Sequence, residues 1–162
     1  MLPDYEIELG RGIGNILLGM QKKELADVLG VPDDIEIPEN PEKTDWETYV
    51  YNSINCSFSF DPGNEHRLAE IVVENGYFHI GRKIRVGVTK EELLRFGSEL
   101  KFGKVIIEDA VDEAYSSLES VLYEQAGLHL WLEDGRITAI QIKPLLDEKG
   151  LQIWPEQDKG QS

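Results

Sequence analysis

The amino-acid sequence predicts an α+β fold: an antiparallel sheet with helices packed on one face, built from two tandem strand-helix-three-strand repeats. Three observations lead there. Short amphipathic helical stretches precede runs of alternating strands. That order occurs twice. The two occurrences align with one another, which makes an internal repeat the organising feature of the chain.

Ile16-Leu17-Leu18-Gly19-Met20 and onward to Leu25 aligns with Ile84-Arg85-Val86-Gly87-Val88 and onward to Leu93, at an offset of 68. Glu47–Tyr51 aligns with Glu119–Tyr123 at an offset of 72, as do Phe58 and Phe60 with Leu130 and Leu132. Arg67–Val73 then matches Arg136–Ile142 at an offset of 69. The last change falls in a turn, where Asp61–His66 is replaced by the shorter Glu133-Asp134-Gly135. Turns are where a chain tolerates changes of length. The repeats run approximately over residues 5–75 and 76–143, within a single domain over 1–154, and residues 155–162 are expected to form a disordered tail.

The elements follow in order. Asn15–Met20 reads as a short strand ending at Gly19. Lys22–Leu29 places Leu25, Val28 and Leu29 at helical spacing, and Gly30-Val31-Pro32 is a stop signal. In the second repeat Thr89 and Glu92 have the spacing of a capping box ahead of Leu93, Leu94 and Phe96, and Gly97 is expected to end the helix. Trp46–Tyr51 is rich in β-branched and aromatic residues, and Ser57-Phe58-Ser59-Phe60 alternates as a half-buried strand should. Asp61-Pro62-Gly63-Asn64 is a turn leading to the strand Arg67–Val73, and Glu133-Asp134-Gly135 predicts a tight hairpin. Residues 109–123 admit two readings. Val111, Ala114, Tyr115, Leu118 and Leu122 have helical spacing, whereas alignment with Glu47–Tyr51 favours a strand from about Leu118, after a helical turn near Asp112.

A chain of 162 residues with 41% hydrophobic content has the size and composition of one globular domain. No apolar run approaches the ~18 residues that span a bilayer. The first residues lack a basic segment followed by an apolar stretch, so no signal peptide is expected. Cys56 is the only cysteine, is expected to be a buried thiol, and suits a cytoplasmic setting. Sixteen Lys and Arg against 31 Asp and Glu leave a net charge of −15. That field disfavours nucleic acid and anionic membrane surfaces and favours basic partners or cations.

The run Leu18-Gly19-Met20, the helix ending Leu29-Gly30-Val31-Pro32-Asp33, then Trp46, Tyr49, Tyr51, Phe58 and Phe60 resembles the repeat unit of the β-lactamase inhibitor protein. It is also similar to the single unit of the small bacterial outer-membrane assembly lipoproteins. The resemblance covers most of residues 13–143 and implies helices packed on one face of an antiparallel sheet. In the inhibitor, two such units stand side by side and their joined concave sheet grips an enzyme. This chain departs from those families in that no export signal and no lipidated N-terminal cysteine are expected, and the inhibitor's cysteines have no counterpart in the sequence.

Motifs for chemistry are sparse. His66, His79 and His129 have no zinc-type spacing, no GxSxG elbow is present, and no enzymatic activity is expected. Gly10-Arg11-Gly12-Ile13-Gly14-Asn15 precedes a strand instead of following one, so a turn is favoured over a phosphate loop. Asp61–Glu65 is too short for an EF-hand and is expected to be a hairpin turn. Neither a metal nor another cofactor is expected.

Two surface features remain. Residues 31–47 carry seven carboxylates, among them Glu36 and Glu39, against Lys43, and residues 104–119 carry five, among them Asp109 and Asp112, against Lys104. If Leu128, Leu130 and Leu132 face the helices, His129 and Trp131 point the other way, where the first repeat has only Ser57 and Ser59. Leu151, Ile153 and Trp154 of the C-terminal segment could cover Trp131. The resulting expectation is a non-enzymatic binding protein of the bacterial immunity type, neutralising a basic partner protein such as a toxin. Trp131, His129, Trp46, Asp109, Asp112, Glu36 and Glu39 would carry the contact. The alternatives are a small-ligand or cation-binding domain with hidden chemistry, and a structural module that forms homodimers.

Overall fold

The computed structural model describes residues 5–37, 46–109 and 118–155. A three-stranded antiparallel meander opens the chain: β1 (Ile7–Glu8), β2 (Gly12–Ile13) and β3 (Ile16–Leu17). Helix α1 (Lys22–Leu29) follows, then β4 (Asp34–Glu36), β5 (Glu47–Tyr51), β6 (Cys56–Asp61) and β7 (Arg67–Val73). Helix α2 (Lys90–Glu99) leads to β8 (Ile106–Asp109), β9 (Leu118–Tyr123), β10 (Leu128–Glu133) and β11 (Arg136–Ile142). A small hairpin, β12 (Leu145–Leu146) with β13 (Gln152–Ile153), ends the described chain. The fold is α+β, and among the described residues no helix is long and apolar enough to cross a membrane.

The main sheet has eight antiparallel strands in the order β4-β5-β6-β7-β11-β10-β9-β8. Each half is a meander, and the halves meet where Val73, Val72 and Ile71 pair with Ile140, Gln141 and Ile142. Paired residues point to the same face, so this register puts Phe58, Ile71, Ile140, Leu130 and Val121 on one side, all fully buried. Both helices cover that side. Leu25 of α1 and Leu93 of α2 join the same core, the Tyr51 hydroxyl donates to Gly30 O at the end of α1 (2.9 Å), and Tyr123 packs on Gly97 of α2.

Several expectations change in detail. Each helix is followed by four strands of the sheet, not three, because β4 and β8 lie in the stretches read as acidic connections. Both are short, mostly exposed edge strands without apolar alternation, so pattern reading passes over them. The strand expected at Asn15–Met20 is confined to Ile16–Leu17 and belongs to the separate meander; its counterpart near Ile84 makes only an isolated bridge to Ile80. Gly97 does not end α2. The helix continues to Glu99, and glycine is present because a Cβ there would fall 2.8 Å from Cζ of Tyr123. The capping box forms as expected, with Glu92 N donating to Thr89 Oγ1 at 3.2 Å. A strand begins at Leu118, while the helical turn near Asp112 and most of the C-terminal tail lie outside the described residues.

The same local devices occur in both halves. Lys22 Nζ reaches Glu47 at 2.8 Å and Lys90 Nζ reaches Glu119 at 2.6 Å. Gly19 N donates to Leu68 O and Gly87 N to Ile137 O, each at 2.8 Å and each from positive φ (96° and 102°). The register shifts between Ser59 and Phe60 in one half and between Trp131 and Leu132 in the other.

The packing makes the two faces unequal in energy. Phe58→Ala should cost about 3–5 kcal/mol and Leu130→Ala about 2–5 kcal/mol. Ser57→Ala, on the helix-free face, should cost less than ~0.5 kcal/mol. Urea denaturation of the three variants measures the difference.

Candidate functional site

Alternation in β10 buries Leu128, Leu130 and Leu132 and turns His129 and Trp131 to the helix-free face. Their rings stack, with centroids 3.9 Å apart and planes 29° from parallel. Across the sheet His129 lies between Gln141 and Leu122, and Trp131 between Ala139 and Ser120. Trp131 is half-buried. Trp154 does not cover it, because Trp154 packs on Gly19 and lies beneath the Arg67 guanidinium, 5.7 Å from the ring centre.

His129 Nε2 is buried with no hydrogen-bond partner among the described residues, a condition that costs about 1–3 kcal/mol. Burial, reinforced by the Lys143 ammonium, holds its pKa below the ordinary histidine value against a weaker opposing pull from Glu108. The imidazole is therefore neutral near pH 7, which suits close stacking on an indole.

Beside the stack lies a cleft of about 340 Å³. Glu70, Leu122 and His129 from the sheet line it with Lys143 just beyond β11, Leu146 and Gln152 of the β12–β13 hairpin close one side, and Trp46 stands at its rim, 39% exposed. Lys143 Nζ lies 3.8 Å from Glu70 Oε1. These two residues are opposite one another across the central seam, one step beyond Ile142 and Ile71.

The structure thus brings together three of the expected residues, Trp46, His129 and Trp131. It separates the acidic ones. Glu36 lies on β4 and Asp109 on β8, the two outermost strands at opposite edges of the sheet. Asp109 pairs with Glu119, the residue that receives Lys90 from α2, and so faces the helices; Glu108, paired with Ser120, shares the row of Trp131. Glu39 and Asp112 lie outside the described residues. Sequence reading missed Glu70, Lys143 and the β12–β13 hairpin. The polar position of Glu70 in the alternating strand β7 was a signal for the first, whereas Lys143 lies one residue beyond β11 and two-residue strands leave almost no pattern.

Other candidate chemistry is accounted for locally. Asp61 accepts from Gly63 N (2.8 Å) and from Asn64 Nδ2 (2.6 Å), so its carboxylate caps a turn. Cys56 is buried, and burial pushes its thiol pKa up to about 12, which keeps it protonated and unreactive. No group of three or more His, Cys, Asp or Glu is gathered for a metal among the described residues. The arrangement offers aromatic, apolar and charged contact surface, which is equipment for binding.

The lowered pKa of His129 carries a sign. Well above pH 6.5 the residue is neutral in both the folded and unfolded chain, and its titration adds no pH dependence to stability. As pH falls below that value the unfolded chain takes up the proton first, so the wild type should lose stability that His129→Phe retains. Urea midpoints of the two proteins at pH 7.5 and pH 5.5 test this.

No protein-family model matches the chain, and no curated protein matches it. Two solved structures are similar. An extracellular protein containing an SCP domain from Bacillus anthracis str. Ames has a TM-score of 0.46 and 14% identity over 86% of this chain, which spans only 49% of that one. A DUF4309 family protein (YjgB) from Bacillus subtilis subsp. subtilis str. 168 has a TM-score of 0.48 and 15% identity, over 83% of this chain and 87% of that one. Neither likeness carries functional information about this chain.

Proposed function

We propose that this chain is a non-enzymatic binding protein of the immunity type, which neutralises a basic protein such as a toxin through the helix-free face of its sheet. The observation that carries the reading is the His129–Trp131 stack beside a cleft rimmed by Trp46. Large, rigid aromatic side chains on a structured surface are the usual anchors of protein interfaces. The net charge of −15 supplies long-range attraction for a basic partner, and a single buried cysteine is compatible with a cytoplasmic setting.

The proposal extends to the architecture. Two tandem copies of one unit, in the manner of the β-lactamase inhibitor protein, account for the matching lysine–glutamate pairs, glycine turns and register shifts. They also account for the seam: Val72 and Gln141, equivalent at the offset of 69, are paired with each other, as residues on a two-fold axis must be. Within this frame, His129 and Trp131 mark where one copy has acquired what the other lacks.

Two experiments follow. Fragments 1–75 and 76–162, mixed after separate purification, should associate and recover sheet-type circular dichroism; halves that stay apart and unfolded speak against equivalent units. In a native-lysate pull-down, a basic protein should be retained at low salt, released as salt rises, and lost with Trp131→Ala. Retention that ignores both salt and Trp131 would sink the binding mechanism.

A further inference from the structure

We infer that the cleft between Trp46, Glu70 and the β12–β13 hairpin receives a guanidinium-bearing side chain presented by the partner, an inference that rests on the protein-binding reading above. Its size, about 340 Å³, suits a single long side chain. Leu122 and Leu146 give apolar walls for a methylene stem, and the exposed Trp46 indole gives a flat electron-rich face at the mouth.

The charges in the cleft select the head group. Glu70 and Glu124 are the carboxylates that line it, against the single ammonium of Lys143. Lys143 holds Glu70 only at 3.8 Å, beyond hydrogen-bond distance, so the carboxylate keeps acceptor capacity for a guest. Glu124 makes no ion pair among the described residues. An anionic guest would meet two carboxylates, and a neutral one would leave them uncompensated. A guanidinium satisfies both demands of the site: its planar face stacks on an indole, and its fork of donors reaches carboxylates in two directions. A lysine ammonium is a compact point charge and exploits the flat wall less well.

The test uses the full chain and a capped Gly-Arg-Gly peptide, with capped Gly-norleucine-Gly as the apolar control. Nuclear magnetic resonance follows the Trp46 indole N–H and the Gly127 amide. The arginine peptide should shift both signals saturably, and the norleucine peptide should not. Trp46→Ala and Glu70→Gln should each weaken binding by about threefold or more. Lys143→Met should tighten it, because it removes the competing cation. That gain cannot come from a damaged fold, and unchanged thermal midpoints check the other two variants.

An equal response to the norleucine peptide, an absence of saturation, or weaker binding in Lys143→Met overturns the inference. The two levels of the proposal separate cleanly. If a basic partner is captured in a Trp131-dependent way while Trp46→Ala and the arginine peptide have no effect, the cleft assignment falls and the binding reading stands. If the peptide saturates the cleft but no basic protein is retained, the guanidinium site stands and its supposed source falls.

Discussion

The seam between β7 and β11 is the constraint on which the rest of the molecule depends. Only three residue pairs join the two four-strand halves there, yet their register decides which side chains share a face across the whole sheet. A slip of one residue would send one half's core to the other side. With Val72 opposite Gln141, Phe58 and Leu130 face one common core under both helices. The same register places Glu70 against Lys143 and sets His129 in line with Val72 and Ser57 on the helix-free face. Core and candidate site are therefore consequences of one alignment.

The acidic residues of the outermost strands have a physical role within the fold. Asp34, Glu36, Glu108 and Asp109 all lie on β4 and β8, the outermost strands of the sheet among the described residues. Charged side chains on such strands oppose pairing with another copy of the chain, since like charges would be brought together along the new ladder. Ile35 and Ile107, both exposed on these strands, are the residues for which that protection matters most. Charge at the edges keeps the apolar edge residues from recruiting a neighbour, and the same charge contributes to the negative field around the molecule.

Much of the fold was legible in the sequence because its signals were local. Gly30 ends α1, Thr89 and Glu92 cap α2, and Asp134 with Gly135, both at positive φ, turn the β10–β11 hairpin as their side chains dictate. The orientation of His129 and Trp131 followed from strand period alone. What escaped reading was non-local. Gly97 looks like a helix stop until Tyr123, a residue of a distant strand, is seen to occupy the space of its missing side chain. Glu70 and Lys143 are far apart in sequence and meet only because of the seam, and the course of Trp154 toward Gly19 has no sequence signature.

The order of the strands also governs how the chain emerges during synthesis. The half that ends at Val73 is made first, and the residues that will pair with β7 arrive only when β11 has been translated, some 69 positions later. At ordinary elongation rates of roughly 5–20 residues per second, that interval is on the order of ten seconds or less. During it, β7 has a bare hydrogen-bonding edge whose seam residues, Ile71, Val72 and Val73, are all apolar, with Glu70 as the one carboxylate on the strand. The most adhesive edge of the molecule is thus exposed once, in the nascent chain, and is then sealed for good at the centre of the sheet.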